Sequence, residues 1–152
     1  EGRGESSDGQ PQSDSRRLAG LHVLLVEDND VNLLLAQTML SRLGADVVSV
    51  RDGAQALATL VDQRFDLVLM DIQMPELDGT DVVGQWREIE STRDHARTPI
   101  VALTAHAMAG DRERFIAAGF DGYLGKPFSM NNLVETIESV LTRAAAQSLT
   151  RT

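Results

Sequence analysis

Apolar residues follow two alternating patterns from residue 22 onward. Short continuous runs, rich in Val, Leu and Ile, occupy residues 22–28, 45–50, 65–71 and 98–105, and a shorter apolar segment lies within 121–127. Longer segments with apolar residues at helical spacing follow each of them, at residues 30–44, 52–63, 79–91, 108–119 and 130–146. The runs predict buried strands and the longer segments predict helices, so the chain alternates strand and helix five times.

Cap residues separate these elements. Gly44 and Gly119 close the first and fourth helical segments, and glycine is typical of a helix C-terminus. The third segment begins at Gly79, and Ser129 is placed to cap the N-terminus of the fifth. These boundaries agree with the hydrophobic pattern.

Alternation of strand and helix is typical of an α/β protein with a mostly parallel sheet. Because the strand segments are continuously apolar, we expect helices on both faces of that sheet. Right-handed crossovers leave few topologies, and the pattern alone does not choose the strand order. It does place the carboxyl ends of all strands at one edge, where sheets of this kind bind ligands.

The two ends of the chain differ from this central part. Residues 1–20 are rich in Gly, Ser, Asp and Gln, and a stretch that buries so little apolar surface predicts a flexible linker. We place one folded domain at residues 21–143 and a frayed C-terminal tail at residues 144–152. The first residue is Glu1 and not methionine, so we also expect the chain to be a piece of a longer protein.

Composition and charge exclude several classes of function. The net charge of −9 argues against a nucleic-acid surface, which needs a basic face. The chain has no cysteine, which excludes disulfides, thiolate metal sites and cysteine nucleophiles and fits a reducing compartment. No apolar run approaches the roughly 18 residues of a membrane span, so we expect no direct membrane contact.

Polar side chains stand where the predicted strands end. Glu27 and Asp28 end the first strand, Asp71 the third and Thr104 the fourth, and Lys126 follows the fifth. Three acids at one edge repel one another, and their oxygen atoms suit Mg²⁺. A carboxylate can also be a nucleophile in phosphoryl transfer, where a metal and a lysine neutralise the phosphoryl oxygens. Each residue alone has a plainer explanation, such as a solvated lysine or a turn aspartate, but the joint pattern favours a phosphoryl site.

Four stretches carry a resemblance to a known family: VLLVEDNDVN, DLVLMDIQMPELDG, PIVALTAHAM and AAGFDGYLGKPF. In this order, and within residues 21–141, they resemble a receiver domain of two-component response regulators, of the type fused C-terminally to hybrid sensor histidine kinases. The resemblance implies a flavodoxin-like, doubly wound (βα)5 fold whose five parallel strands have the order 2-1-3-4-5. A member of this family is a standard example of that order.

The resemblance assigns catalytic and switching roles. It implies that Asp71 is the phosphoacceptor and that Thr104 and Lys126 hold the phosphoryl oxygens. It implies that Tyr123 is an aromatic switch that follows Thr104, and that the peptide bond before Pro127 is cis. A module of this kind catalyses its own phosphorylation and dephosphorylation without being a classical enzyme.

The resemblance also implies a metal site. Asp28, Asp71 and the backbone carbonyl of Gln73 would hold Mg²⁺ directly, with Glu27 acting through water. Gly125 is a mild departure, because relatives often carry a small polar residue at that position, and it puts no site residue in doubt.

These roles imply a signalling module. It would take a phosphoryl group from a phosphohistidine onto Asp71 with Mg²⁺, and change conformation to relay a two-component signal. The implied partners are the phosphohistidine domain of a histidine kinase, a histidine phosphotransfer protein, or both, and no nucleic acid. The expected location is the cytoplasm, including the cytoplasmic part of a membrane-bound sensor kinase.

A phosphatase of the haloacid dehalogenase type is the alternative, since it also combines an aspartate nucleophile with an α/β fold and Mg²⁺. Such an enzyme needs a second acid two residues after the nucleophile, and that position is Gln73 here. A flavodoxin is disfavoured because the first loop, EDND, is acidic and repels the FMN phosphate. A dinucleotide fold is excluded because no G-x-G-x-x-G follows the first strand.

The histidines and large aromatic residues receive plainer assignments. His22, His95 and His106 are scattered, and none lies convincingly on a helix face suited to a phosphoacceptor histidine. His106 lies two residues past the end of the fourth strand. It could influence the access of water to an acyl phosphate there, but an ordinary loop histidine is at least as plausible. Trp86 and Phe115 fall within helices, so we expect them to pack in the core.

Overall fold

The computed structural model describes residues 17–74, 77–94, 96–105 and 111–151, with side chains of the last helix described to residue 146. Strands and helices alternate along it as β1 (His22–Val26), α1 (Asp30–Arg42), β2 (Asp46–Val50), α2 (Gly53–Asp62), β3 (Leu67–Asp71), α3 (Gly79–Glu90), β4 (Ile100–Thr104), α4 (Asp111–Ala118), β5 (Gly122–Gly125) and α5 (Met130–Arg151). The predicted α/β class is confirmed.

The five strands form one parallel sheet in the order β2-β1-β3-β4-β5. This is the order that the resemblance implied. Strand β3 is central, with β1 on one side and β4 on the other. The carboxyl end of β3 therefore lies between the carboxyl ends of β1 and β4, which positions the site described below.

Both faces of the sheet are buried under helices. Leu24 and Val26 of β1 face the core formed with α2, α3 and α4, whereas Val23 and Leu25 face the core formed with α1 and α5. All four side chains have no exposed surface. Successive residues of a strand point to opposite faces, so only a continuously apolar strand satisfies both cores, and the sequence has that pattern.

The predicted helix ends are found with their hydrogen bonds. The Ser129 hydroxyl accepts from the Asn132 N–H at 3.1 Å, and the Asn132 side chain accepts from the Ser129 N–H at 3.3 Å, so the two residues cap the start of α5 reciprocally. Gly44 and Gly119 have φ angles of 91° and 116°. Those angles lie in the region that glycine adopts without a steric penalty, which explains why helices α1 and α4 end there.

The turn before β1 differs from the flexible linker that its composition predicts. Leu18 is buried, and its N–H donates to the Leu43 carbonyl at 2.8 Å. The Arg17 guanidinium donates two hydrogen bonds to the Glu138 carboxylate of α5, at 2.6 and 3.1 Å. Residues 17–20 thus pack against the domain. Residues 1–16 of the predicted linker lie outside the described residues.

Helix α5 continues beyond its predicted end at residue 146. Residues 143–151 contain good helix formers and neither Gly nor Pro, so nothing in them stops the helix. The frayed tail at 144–152 stays a prediction. Residues 106–110, which include the predicted start of the fourth helix, lie outside the described residues. Within the described ranges, no helix combines the length and hydropathy needed to cross a bilayer.

Candidate functional site

Three acids meet at the carboxyl edge of the sheet. Glu27 and Asp28 directly follow β1, and Asp71 is the last residue of β3. The two strands are paired with Val26 opposite Met70, so their ends coincide. One carboxylate oxygen from each acid lies within 4.8 Å of the others. The structure therefore brings together the acids that the strand ends predicted.

The acids differ in their exposure and in their hydrogen bonds. Glu27 and Asp71 are 1% and 2% exposed, whereas Asp28 is half-buried. The backbone N–H of Asn29 donates to Glu27 at 3.2 Å, and the N–H of Gln73 donates to Asp71 Oδ1 at 3.0 Å. Backbone groups thus orient the two buried carboxylates, while Asp28 faces the solvent side of the cluster.

Lys126 brings a positive charge to these carboxylates. Its Nζ lies 3.2 Å from Glu27 Oε1 and 3.4 Å from Asp71 Oδ1. Its backbone N–H donates to the Thr104 carbonyl at 2.7 Å, which ties the residue to the end of β4. The following peptide bond, to Pro127, is cis. A lysine from beyond β5 therefore reaches the acceptor strand.

Burial raises the pKa of Asp71 above its ordinary value of 3.8, and the nearby Glu27 raises it further. The hydrogen bond from the Gln73 N–H and the charge of Lys126 lower the pKa but do not compensate. The negative charge on Asp71 is thus destabilised by its surroundings. Such a carboxylate gains more than an exposed one from any additional positive charge.

The cluster fits a hard divalent cation. Three carboxylates face one ammonium group within the contacts just described, and all the donor atoms are oxygens. Oxygen donors with an excess of negative charge suit Mg²⁺ or Ca²⁺, and a half-exposed cluster of three acids leaves room for the waters that Mg²⁺ retains. The raised pKa of Asp71 supports the same conclusion, because a bound cation would stabilise its ionised form.

Thr104 lies on β4, which pairs with the acceptor strand β3, and Tyr123 lies on β5, one strand further from it. Thr104 is the last residue of β4, is buried, and follows Leu103, which is paired with Asp71. Tyr123 is half-buried on β5, and its ring centroid lies 5.6 Å from that of Phe115 on α4. The threonine is thus near the acceptor, while the tyrosine lies on the α4 side of the sheet.

The connection between β3 and α3 contains a close approach that the sequence reasoning missed. Asp78 caps α3 by accepting from the Asp81 N–H at 3.0 Å, and this hydrogen bond holds the pKa of Asp78 below its usual value. The next residue, Gly79, lies against the main chain of Asp71 and Ile72. Glycine has no intrinsic advantage over alanine at the first position of a helix. Its presence there is the feature of the sequence that could have indicated a close approach of two main-chain segments.

The histidines take no part in this cluster as far as the structure describes them. His22 begins β1 at the opposite edge of the sheet, where its ring stacks on Phe65 with centroids 4.6 Å apart. His95 and His106 lie outside the described residues. Trp86 is buried in the core, as its position within a helix predicted.

Comparison with protein families gives a match that covers most of the chain. Residues 23–138 match the response regulator receiver domain. Among curated proteins, the sensor protein GacS of Pseudomonas syringae pv. syringae is 46% identical over 115 residues, which are 76% of this chain and 13% of that protein. The chain thus spans about an eighth of the length of that relative.

Solved structures give the same result. The receiver domain of the sensor histidine kinase PA1611 from Pseudomonas aeruginosa, with a magnesium ion coordinated in its active site cleft, is 44% identical. The match covers 82% of this chain and 97% of that one, with a TM-score of 0.67. The receiver domain of the histidine kinase CKI1 from Arabidopsis thaliana, complexed with Mg²⁺ and BeF₃⁻, is 31% identical, covers 86% and 95% of the two chains, and has a TM-score of 0.77.

Proposed function

This chain belongs to the response regulator receiver domain family, and from that membership we propose that it accepts a phosphoryl group on Asp71 from a phosphohistidine. The observation that carries the proposal is the meeting of a buried, destabilised carboxylate with two further acids and Lys126 at one sheet edge. The phosphohistidine donor would belong to a histidine kinase or to a histidine phosphotransfer protein, because the relatives include receiver domains of histidine kinases.

The proposed transfer is a displacement at phosphorus. An ionised oxygen of Asp71 attacks, the bond between phosphorus and the imidazole nitrogen breaks, and the nitrogen keeps the electron pair. Lys126 offsets the negative charge of the phosphoryl oxygens, since its Nζ already lies 3.4 Å from the attacking carboxylate. The Gln73 N–H donates to Asp71 Oδ1 and helps to orient the attacking carboxylate.

Four residues would hold Mg²⁺. We assign direct contacts to Asp28, Asp71 and the backbone carbonyl of Gln73, and an indirect role through water to Glu27. The bound ion supplies positive charge that offsets the charge of the phosphoryl group. The Asn29 N–H and Lys126 both contact the Glu27 carboxylate and orient it for this role.

The proposed conformational response begins at Thr104. A phosphoryl group adds roughly −1.5 to −2 charges and three acceptor oxygens at Asp71, and the Thr104 hydroxyl can donate to one of those oxygens from the neighbouring strand. Movement of Thr104 toward the phosphoryl group leaves space on the α4 side, where Tyr123 can turn inward. The surface formed by α4, β5 and α5 would then differ between the two states, so that a partner can distinguish them.

Intact mass after incubation with acetyl phosphate and Mg²⁺ tests the acceptor. We expect wild type to gain one phosphoryl group and Asp71→Asn to gain none. Asp78→Asn is a matched control, because it also removes one charge from an aspartate near the same edge, while asparagine keeps the helix cap. A phosphorylated Asp71→Asn protein, or an unlabelled wild type, would contradict the proposal.

NMR with beryllofluoride and Mg²⁺ tests the response. We expect Thr104→Ala to bind the phosphoryl mimic but to lose most of the spectral change at Tyr123 and in α4. If Thr104→Ala gives the complete wild-type pattern, the coupling between Thr104 and Tyr123 does not exist, although Asp71 can remain the acceptor.

The phosphatase alternative gains no support from the relatives described above. Gln73, which occupies the position of the second acid in those enzymes, contributes its backbone N–H to Asp71.

A further inference from the structure

Gly79, the first residue of α3, lies unusually close to the acceptor strand. A Cβ atom built on Gly79 would be 2.7 Å from the Asp71 carbonyl oxygen, 2.7 Å from Ile72 Cα and 3.2 Å from the Asp71 carbonyl carbon. Non-bonded carbon atoms normally approach to about 3.5–4.0 Å. All three neighbouring atoms belong to the main chain, so no side-chain rotation can make room for a Cβ.

Two other glycines serve as comparisons for this crowding. Gly84, in the same helix, has no atom within 4 Å of its hypothetical Cβ. Gly122, at the start of β5, is crowded, but its Cβ would approach the side chain of Val140 at 2.8 Å. Gly79 differs from both because the atoms that it approaches belong to the residue that carries the phosphoacceptor carboxylate and to its neighbour.

Hydrogen bonds also hold the end of β3 in place. The Gly79 N–H donates to the Ile72 carbonyl at 3.3 Å, and the Ile72 N–H donates to the Leu103 carbonyl at 3.1 Å. The Asp71 side chain is held by the Gln73 N–H in the same connection. The start of α3 therefore serves as a rigid support for the main chain that carries Asp71 and Gln73.

We propose that Gly79 is a positioning residue for phosphorylation: the lack of a side chain lets α3 close on the main chain of Asp71 and thereby sets the acceptor carboxylate relative to Glu27 and Asp28. This inference rests on the proposed function of Asp71. In Gly79→Ala the added methyl group pushes α3 and the end of β3 apart. The acceptor then moves relative to the other acids and to Lys126.

The expected effect is a loss of metal affinity and of labelling rate that exceeds any loss of fold stability. A displacement of about 1 Å at a reacting group can lower a rate by about a hundredfold. We expect Gly79→Ala to bind Mg²⁺ about tenfold more weakly and to accept a phosphoryl group from acetyl phosphate about tenfold to a hundredfold more slowly.

Two matched alanine variants separate positioning from stability. Gly122→Ala introduces a clash of similar distance at the far end of β5, but with a side chain, and Gly84→Ala introduces none. Urea denaturation first identifies conditions in which all four proteins are folded. Calorimetry with Mg²⁺ and intact mass with acetyl phosphate are then measured under those conditions. We expect Gly122→Ala and Gly84→Ala to match wild type in both measurements.

The outcomes distinguish the two levels of the proposal. Wild type that neither binds Mg²⁺ nor becomes labelled would refute the proposed function, and this inference with it. If wild type does both and Gly79→Ala equals Gly122→Ala in Mg²⁺ affinity and labelling rate, the positioning role alone is refuted. A selective loss in Gly79→Ala, with smaller chemical shift changes at Gln73 on addition of Mg²⁺, supports it.

Discussion

Buried carboxylates are balanced by positive charge to different extents at the two edges of the sheet. At the carboxyl edge, Glu27 and Asp71 are buried beside Asp28, and Lys126 is the cation placed between them. At the amino edge, the Arg87 guanidinium contacts the carboxylates of Glu90 and Asp121, both at 2.8 Å.

Backbone groups complete the network at the amino edge. Arg87 also donates to the carbonyls of Thr98 and Gly119 at 2.8 to 3.0 Å, and Arg97 forms a second ion pair with Asp121 at 3.0 Å. Two guanidinium groups thus match two carboxylates. At the carboxyl edge, one ammonium group faces three carboxylates.

The pKa values follow this difference. Burial raises the pKa of Asp71, and its partners do not compensate. Burial also tends to raise the pKa of Glu90, but hydrogen bonds from the Thr98 N–H and from Arg87 outweigh it, so that the pKa lies below its ordinary value of 4.5. We therefore expect the amino edge to stabilise the fold, and the carboxyl edge to keep an unfavourable charge arrangement that a cation can relieve.

Removal of Arg87 should give the largest effect, because it leaves Glu90 buried without its ion-pair partner. We expect Arg87→Ala to lower the free energy of unfolding by about 3–5 kcal/mol, measured by urea denaturation. Arg51→Ala is the matched control, because Arg51 forms an exposed ion pair with Asp30 and should cost about 1 kcal/mol or less. Equal losses in the two variants would show that the amino edge is not specially stabilising.

The Glu90→Gln variant should lose about 1–3 kcal/mol at neutral pH, since glutamine carries no charge and cannot form an ion pair with Arg87. The folded pKa of Glu90 is lowered, so its ionisation stabilises the fold above the ordinary value of 4.5, and this contribution is lost as the pH falls through the lower folded pKa. We therefore expect the difference between wild type and Glu90→Gln to shrink in acid. A difference that stays constant from pH 7 to pH 3 would contradict the pKa direction.

Asp71→Asn should have the smallest effect and the opposite sign. Asparagine still accepts from the Gln73 N–H and removes one of the mutually repelling charges, so we expect about 1 kcal/mol of added stability at pH 7 in EDTA. Because the folded pKa is raised, the penalty in wild type develops as the pH rises above 3.8, and the difference should vanish in acid.

Addition of Mg²⁺ gives a second comparison between wild type and Asp71→Asn. At about five times its dissociation constant, the ion should stabilise wild type by about 1 kcal/mol and leave Asp71→Asn nearly unchanged. Denaturation with and without Mg²⁺ measures both quantities. An Asp71→Asn protein that is less stable than wild type in EDTA would remove the contrast between the two edges.

The sequence predicted the carboxyl edge better than the amino edge, for a physical reason. Parallel strands end at one edge, so the residues that follow apolar runs had to converge, and Glu27, Asp71 and Lys126 do. Arg87 and Asp121 are 34 residues apart and show no such pattern. In the sequence, Arg87 cannot be distinguished from a solvent-exposed arginine on a helix. Only the tertiary fold brings it to the Thr98 carbonyl, just before β4.

Leu18, at the N-terminal boundary of the domain, is a second residue whose role the local sequence pattern does not predict. One leucine within a polar stretch has no periodic partner, so the composition predicts a linker, yet the side chain is 3% exposed. Its burial depends on Leu43, 25 positions later in the chain, which receives the Leu18 N–H at its carbonyl. Local pattern therefore predicted the elements and their caps, while contacts between distant segments decided the boundary of the domain.

The contact between Glu27 and Lys126 joins residues 99 positions apart. Contacts of such long range form only when most of the intervening chain is in place, and they are slow to form during folding. A nascent or proteolysed chain that stops before β5 would have the acids of the cluster without their lysine. We therefore expect such a chain to lack the positive charge that offsets Glu27 and Asp71 in the complete domain, so that efficient phosphorylation requires the whole domain.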